Sequence, residues 1–339
     1  MIAALVLTAL LGLSLLVNLQ QLLSLVPLDT SARRLRHHGL QEVLVENNGS
    51  RNKIAVVNLG GVIMSDPWDR SGHNLVDSIQ AQLELAGADR NVRAVLLKID
   101  SPGGEVLASD DISRAIRDFQ EEHHKPVITS MGSVAASGGY YVAAPSQWIV
   151  ANELTLTGSI GVIMHNYNYR GLLNKVGVHP QVFKSGKFKD MLSGEKAEEE
   201  VLPEERQMLQ ALIDETFVRF KQVVREGRAW AHSKNGEQGR ALEGAWEDYA
   251  DGRVLSGKQA FEHGFVDELG NFDTAFERAL KLAGIASANQ IQYQRPFDLG
   301  NLFRLFSEAE SRTLKLDLGV ELPRLQVGRL YFLSPTLVQ

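Results

Sequence analysis

From Ile2 to Val17 the chain is apolar except for Thr8 and Ser14, and Leu19–Leu28 prolongs the run more weakly; the first charge is Asp29. About 20 residues in one helix cross the hydrocarbon core of a bilayer. Residues 1–28 are therefore expected to form a retained transmembrane anchor, with Asn18, Gln20 and Gln21 near one interface. A cleaved signal peptide would want a basic start and a small-x-small cleavage site, and neither stands here in clean form. A buried core helix is the remaining reading. Arg33, Arg34 and Arg36 follow the span, and the positive-inside rule puts whatever follows them on the cytoplasmic side.

Beyond residue 52 the pattern alternates. Lys53–Leu59 and Val92–Ile99 are short, apolar and β-branched, as buried strands are, and Pro126–Met131 and Gln147–Ala151 read the same way. Leu75–Ala86 has helical spacing, and so do Ile112, Ile116 and Phe119 after Gly104. Glu204–Arg228 predicts a long amphipathic helix and Asp273–Ala283 a shorter one. Strands alternating with helices imply crossover units and an α/β fold with a mainly parallel sheet. The chain divides into an anchor (1–28), a polar, basic connector (29–52), a body (53–286) and a C-terminal tail (287–339) without clear period. The tail's apolar end, Leu330–Leu333, could pack on the body, touch membrane or lie in a peptide cleft.

Composition narrows the chemistry. At 339 residues, 44% hydrophobic and 22% charged, the chain can bury a sizeable core and is not a disordered or collagen-like one. A net charge of -6 leaves no electrostatic footprint for nucleic acid. Cysteine is absent, which excludes disulfides, thiol catalysis, iron–sulfur clusters and cysteine-based zinc sites. No cofactor or metal is expected, and hydroxyls, amines, imidazoles and carboxylates remain.

Two glycine-bearing turns follow strand-like runs. Asp100-Ser101-Pro102-Gly103-Gly104 comes after VLLKI, and paired glycines there let backbone approach a ligand with N–H groups free for an oxyanion. The second turn, Gly132–Tyr141, holds Ser137 among small residues, ahead of a helix-compatible stretch. An ordinary strand-to-helix turn and close helix–sheet packing are the plain readings of the two. The sequence is not the G-x-S-x-G elbow of hydrolases. A serine needs a base. His37, His38, His123, His124, His232 and His263 lie in polar contexts, and His73, His165 and His179 have no carboxylate partner by spacing. Lysine can serve when burial lowers its pKa, and Val182–Lys189 offers Lys184, Lys187 and Lys189, among which spacing does not choose.

Taken together, SPGG (101–104), GSVAASGGYY (132–141), LTGSIGV (156–162), KSGKFKDM (184–191) and the closing GRVLSGK (252–258) with VDELG (266–270) resemble the signal peptide peptidase A family of membrane-bound serine proteases, in its single-repeat form. The resemblance spans roughly residues 53–285. It implies a ClpP/crotonase-like α/β superhelix, with Ser137 as nucleophile, Lys189 as general base and Ser159 as hydrogen-bond partner of that lysine. The oxyanion donors would be the N–H groups of Gly138 and Gly104, with Gly103 as neighbour, while Lys184 and Lys187 become surface residues. Activity would rise with pH across the lowered pKa of the lysine. Residual signal peptides and other apolar peptides would be the substrates, membrane lipid a partner, and a homo-oligomeric ring the assembly, in which serine and lysine can come from neighbouring subunits. The family faces outward from the cytoplasm, towards the periplasm, against the Arg33–Arg36 cluster; the expectation follows the family. A crotonase-type acyl-CoA enzyme, with Glu105 as the carboxylate beside the turn, and a non-catalytic membrane scaffold are the alternatives.

Overall fold

A computed structural model describes residues 39–66, 74–295 and 330–333. The expected anchor (1–28) and the arginine cluster lie outside the described residues. Among the described residues no helix is long and apolar enough to cross a membrane.

The sheet begins with β1 (Gln41–Glu46) and β2 (Lys53–Gly60), and α1 (Leu75–Ala88) leads to β3 (Val92–Ser101). A short β4 (Gly103–Glu105) runs straight into α2 (Val106–His123), which returns to β5 (Val127–Ala136). The chain then forms α3 (Gly138–Ala143), β6 (Trp148–Ala151), β7 (Leu156–Gly158) and α4 (Arg170–Lys175). The long α5 (Pro203–Asn235) precedes β8 (Val254–Ser256), α6 (Gly257–Glu262), β9 (Glu268–Leu269), α7 (Phe272–Leu282), β10 (Asn289–Gln294) and β11 (Tyr331–Leu333). The main sheet has the order β1-β10-β2-β3-β5-β6-β9, with β7 and β8 branching from β5. Every pair from β10 to β9 is parallel, and only β1–β10 and β7–β8 are antiparallel. This is a mixed α/β fold on a mostly parallel sheet, as the alternating pattern predicts.

Side-chain alternation explains the two layers. Ala55, Val57, Leu59, Val95, Leu97 and Ile99 point to the face covered by α1 and α2, whose Val76, Ile79, Ile112 and Ile116 meet them. Ile54, Val56, Ala94, Leu96 and Ile128 point to the opposite face, covered by Ala275 and Ala279 of α7. Residues alternate because successive positions of a strand face opposite ways, and both sets are apolar because parallel sheets are covered on both faces.

Three boundaries differ from expectation. Gln41–Glu46, inside the expected connector, pairs as β1 with β10. Asn289–Gln294, inside the expected tail, enters the sheet between β1 and β2, because Ile291 and Tyr293 bury alternate positions while glutamines occupy the others. β5 runs on past Met131: it leaves β6 after Ser130 and pairs its last three residues with β7. That extension carries Ser137 to the carboxyl end of the sheet, where open parallel sheets hold their ligands.

Candidate active site

The first wall is β4. Ile63 N–H donates to Gly103 O (2.9 Å) and Glu105 N–H to Ile63 O (2.8 Å). Residues of a strand alternate their hydrogen-bonding direction, so the N–H and C=O of Gly104 face the other way. A Cβ on Gly104 would lie 1.9 Å from Ile63 O, so the approach admits glycine alone. Gly103 has φ +102, in the region that favours glycine, and its N–H donates to Ser101 Oγ at 3.1 Å.

The second wall is the turn after β5. Ser137 has φ +55 and ψ -115 at the head of α3. A non-glycine residue there stores strain of order 1–3 kcal/mol, which persists only where the surroundings over-determine it. Ser137 N–H donates to Gly158 O (2.8 Å), and Tyr141 N–H donates to Ser137 O (2.9 Å). The residue is 1% exposed, and its Oγ has no hydrogen-bond partner among the described residues. This strained strand-to-helix turn has the form of a nucleophile elbow, although the sequence around it does not spell that motif.

The register joins Ser159 to this turn. Ala136 of β5 pairs with Gly158 of β7, so Ser137 and Ser159 follow on adjacent rungs. Ser159 also has a positive φ (+50), and its N–H donates to Arg253 O at 2.7 Å. Gly138 N lies 2.6 Å from where a Cβ on Gly103 would sit, and Gly104 N lies 3.0 Å from where one on Gly138 would sit. Ser137, Ser159, Gly103, Gly104 and Gly138 are thus brought together at one end of the sheet. Tyr141, just behind, donates its hydroxyl to Asp110 Oδ1 (2.6 Å), and burial pushes its pKa well up.

Lys189 is not joined to them. It is exposed on a segment that α4 opens, and its Nζ hydrogen-bonds no described residue. Its neighbours are engaged: Lys184 pairs with Asp190 (2.7 Å), Lys187 with Glu204 (3.2 Å), and Lys196 with Glu205 (2.5 Å) and Asp190 (3.4 Å). The hydrogen bond from Lys184 holds the Asp190 carboxyl below its ordinary range, and the bond to Glu205 raises the Lys196 ammonium above its own. Lys196 and Glu205 are buried, and nothing in the local sequence sets them apart from solvated charges. Of the four lysines between 184 and 196, Lys189 is the one without a carboxylate partner.

A mostly parallel α/β sheet that ends in a buried serine and two converging amides is built for acyl transfer to serine. The comparisons place it more narrowly. The model of peptidase family S49 matches residues 120–286. An Enterococcus faecium protein named for signal peptide peptidase SppA is 34% identical over 259 residues, covering 75% of this chain and 71% of that one. A protein named as a protease in Synechocystis sp. is 42% identical over 197 residues, covering 58% of this chain and 65% of the relative. Protease 4 of Haemophilus influenzae is 32% identical over 248 residues, which cover 73% of this chain and 38% of the relative. The chain belongs to peptidase family S49, the family of signal peptide peptidase A. It spans about two thirds of the first of these relatives and little more than a third of Protease 4.

Proposed function

We propose that the chain is a membrane-anchored serine endopeptidase that uses a Ser137–Lys189 dyad on apolar peptides such as residual signal peptides. The observation that carries this reading is Ser137 itself. A buried, strained serine faces the N–H groups of Gly138 and Gly104 at the carboxyl end of the sheet. Ser137 Oγ attacks the substrate carbonyl while Lys189 Nζ, in its neutral form, takes the hydroxyl proton. The two amides hold the tetrahedral oxyanion. The C–N bond breaks, and the leaving amine takes that proton from Lys189. Lys189 then draws a proton from water, which hydrolyses the acyl-serine. Ser159 orients the lysine. The fold is of the ClpP/crotonase-like kind, residues 1–28 are the anchor, and the body lies outside the cytoplasm.

The lysine comes from a neighbouring subunit of a homo-oligomeric ring. What supports this is a half-site in each protomer: no described residue hydrogen-bonds Ser137 Oγ or Lys189 Nζ, and the stretch leading to Lys189 exposes Tyr167, Leu172, Val176 and Phe183, the last at 93%. The crotonase-type reading would call on Glu105. That carboxylate is occupied, accepting from both N–H and Oγ of Ser65 (2.8 and 2.5 Å).

The test is cleavage of an apolar fluorogenic peptide by Ser137→Ala, Lys189→Ala and their mixture. Each variant alone is expected to lose at least about a thousandfold in kcat. An equimolar mixture re-assembled from subunits is expected to recover about a quarter of wild-type activity, since a closed cyclic ring then contains sites with both intact residues. Full activity in either variant sinks the dyad. A mixture as inert as its components sinks the cross-subunit site and leaves the dyad within one chain.

A further inference from the structure

β4 does not end the sheet at the site. Its outward edge carries β11, antiparallel, with Tyr331 opposite Glu105, Phe332 opposite Gly104 and Leu333 opposite Gly103. Val106 N–H donates to Leu330 O at 3.3 Å. Bonded pairs of an antiparallel ladder recur every second residue, so the next bonded pair is Phe332 with Gly104. On the far edge of β11, Tyr331 and Ile163 exchange both hydrogen bonds, each 3.1 Å. Leu330–Leu333 is therefore an extended strand held by backbone on both sides, which is how a cleft takes a peptide by strand addition.

The carbonyl of Phe332 stands at the reacting position. Its oxygen is 2.0 Å from where a Cβ on Gly103 would lie and 3.0 Å from where one on Gly138 would lie, so only glycines let it in. The Phe332 ring is fully buried. It stacks on Tyr141 (centroids 4.8 Å apart) and packs against Phe220 (4.6 Å), while Tyr141 and Phe220 meet edge-on at 5.0 Å. A strand that merely completed the core would have no need to set a carbonyl between those glycine amides beside Ser137.

We infer that Leu330–Leu333 is a built-in occupant of the peptide cleft, with Phe332 in the place of the substrate residue whose carbonyl is attacked. The inference rests on the reading of Ser137 and its amides given above and adds two properties to it. Tyr141 and Phe220 wall a pocket that selects a bulky aromatic side chain before the scissile bond. The C-terminal segment competes with substrate for that cleft, and tethering gives it a high effective concentration there.

The test separates binding from turnover. A fluorescein-labelled peptide copying residues 328–335 is titrated into the full chain carrying Ser137→Ala, and into the same chain carrying Phe332→Asp as well. Apparent affinity falls with the fraction of open clefts, so the second chain is expected to bind at least about tenfold more tightly. Phe332→Ala, which removes the ring without adding a charge, is the companion variant should the aspartate disturb folding; it is expected to move the same way by a smaller factor. In the tail-altered chain, a peptide with Ala at the place of Phe332 is expected to bind on the order of tenfold more weakly, the loss of one buried aromatic ring. Affinities within twofold between tail-intact and tail-altered chains overturn the competition. Equal affinity for the Phe and Ala peptides overturns the pocket, and no binding by any tail-altered chain overturns both. An inert wild-type enzyme, by contrast, would count against the dyad alone.

Discussion

The two halves of the site are made differently. The serine half is part of the sheet: three strand ends, β3, β5 and β7, converge on it, and Ser137 is buried with both its backbone groups bonded. The lysine half is an arm from about residue 165 to 195, where α4 buries no side chain and Phe183 stands in solvent. Its firm attachment is at the base, where Lys196 reaches Glu205 at the start of α5 and Asp190 within the arm. The sheet therefore determines where the nucleophile points, and the arm takes its final position from what it docks against. An exposed apolar arm on a stable body is what a half-site completed by a second copy requires.

The largest expected difference between the halves is their response to one methyl group. Gly104→Ala would drive a Cβ into Ile63 O, and the strand must shift. A loss of about 2–3 kcal/mol of stability and of essentially all peptidase activity is expected. Gly186, three residues before Lys189, has nothing within 4 Å of its would-be Cβ. Gly186→Ala is expected to stay within about 0.5 kcal/mol in a denaturant titration. Comparable losses in the two variants would mean that the arm is as rigidly built as the sheet.

A smaller effect should appear at the base of the arm. Glu205→Ala leaves the buried Lys196 ammonium with Asp190 alone, a geometry longer by nearly an ångström. Amides of residues 184–196 are expected to lose protection from hydrogen exchange by on the order of tenfold or more, while β2, β3 and β5 keep theirs. Loss of protection across the sheet as well would make the arm and the body one cooperative unit and erase the distinction.

The same contrast governs what the sequence disclosed. β2, β3, α1 and α2 were legible because their apolar periods of 2 and 3.6 are local properties. β10 was not, since its alternation is carried by two apolar residues among glutamines, and only pairing with β1 and β2 gives them something to cover. The small residues around Ser137 marked the turn, but its positive φ is imposed from outside by Gly158, through a register that joins residues 22 apart. No spacing rule chose Lys189 over Lys184 and Lys187; the motif did, and the ion pairs of the other two agree with it. The role of Leu330–Leu333 was open between core, membrane and cleft, because a short apolar run has the same appearance in all three.

The smallest effect concerns the turn that holds Ser159. Arg253, whose carbonyl accepts the Ser159 N–H, is itself fixed by Asp251, which takes two hydrogen bonds from its guanidinium and one from its N–H. The guanidinium bond holds the Asp251 carboxyl down at about 2. A carboxylate depressed on folding contributes stability above its unfolded pKa and loses it as pH falls through the folded value, so this contribution disappears between about pH 4 and pH 2. Both side chains are half exposed, and solvent screening limits an exposed pair to less than about 1 kcal/mol. Asp251→Asn is thus expected to cost less than that in denaturant at pH 7, and the gap from wild type should close near pH 2. Because Ser159 is tied through backbone, kcat is expected to fall by less than about fivefold with KM unchanged. A gap that persists at pH 2 would assign the cost to shape rather than charge. A loss of several kcal/mol at pH 7 would make this exposed turn a structural member of the serine half, on a par with Gly104.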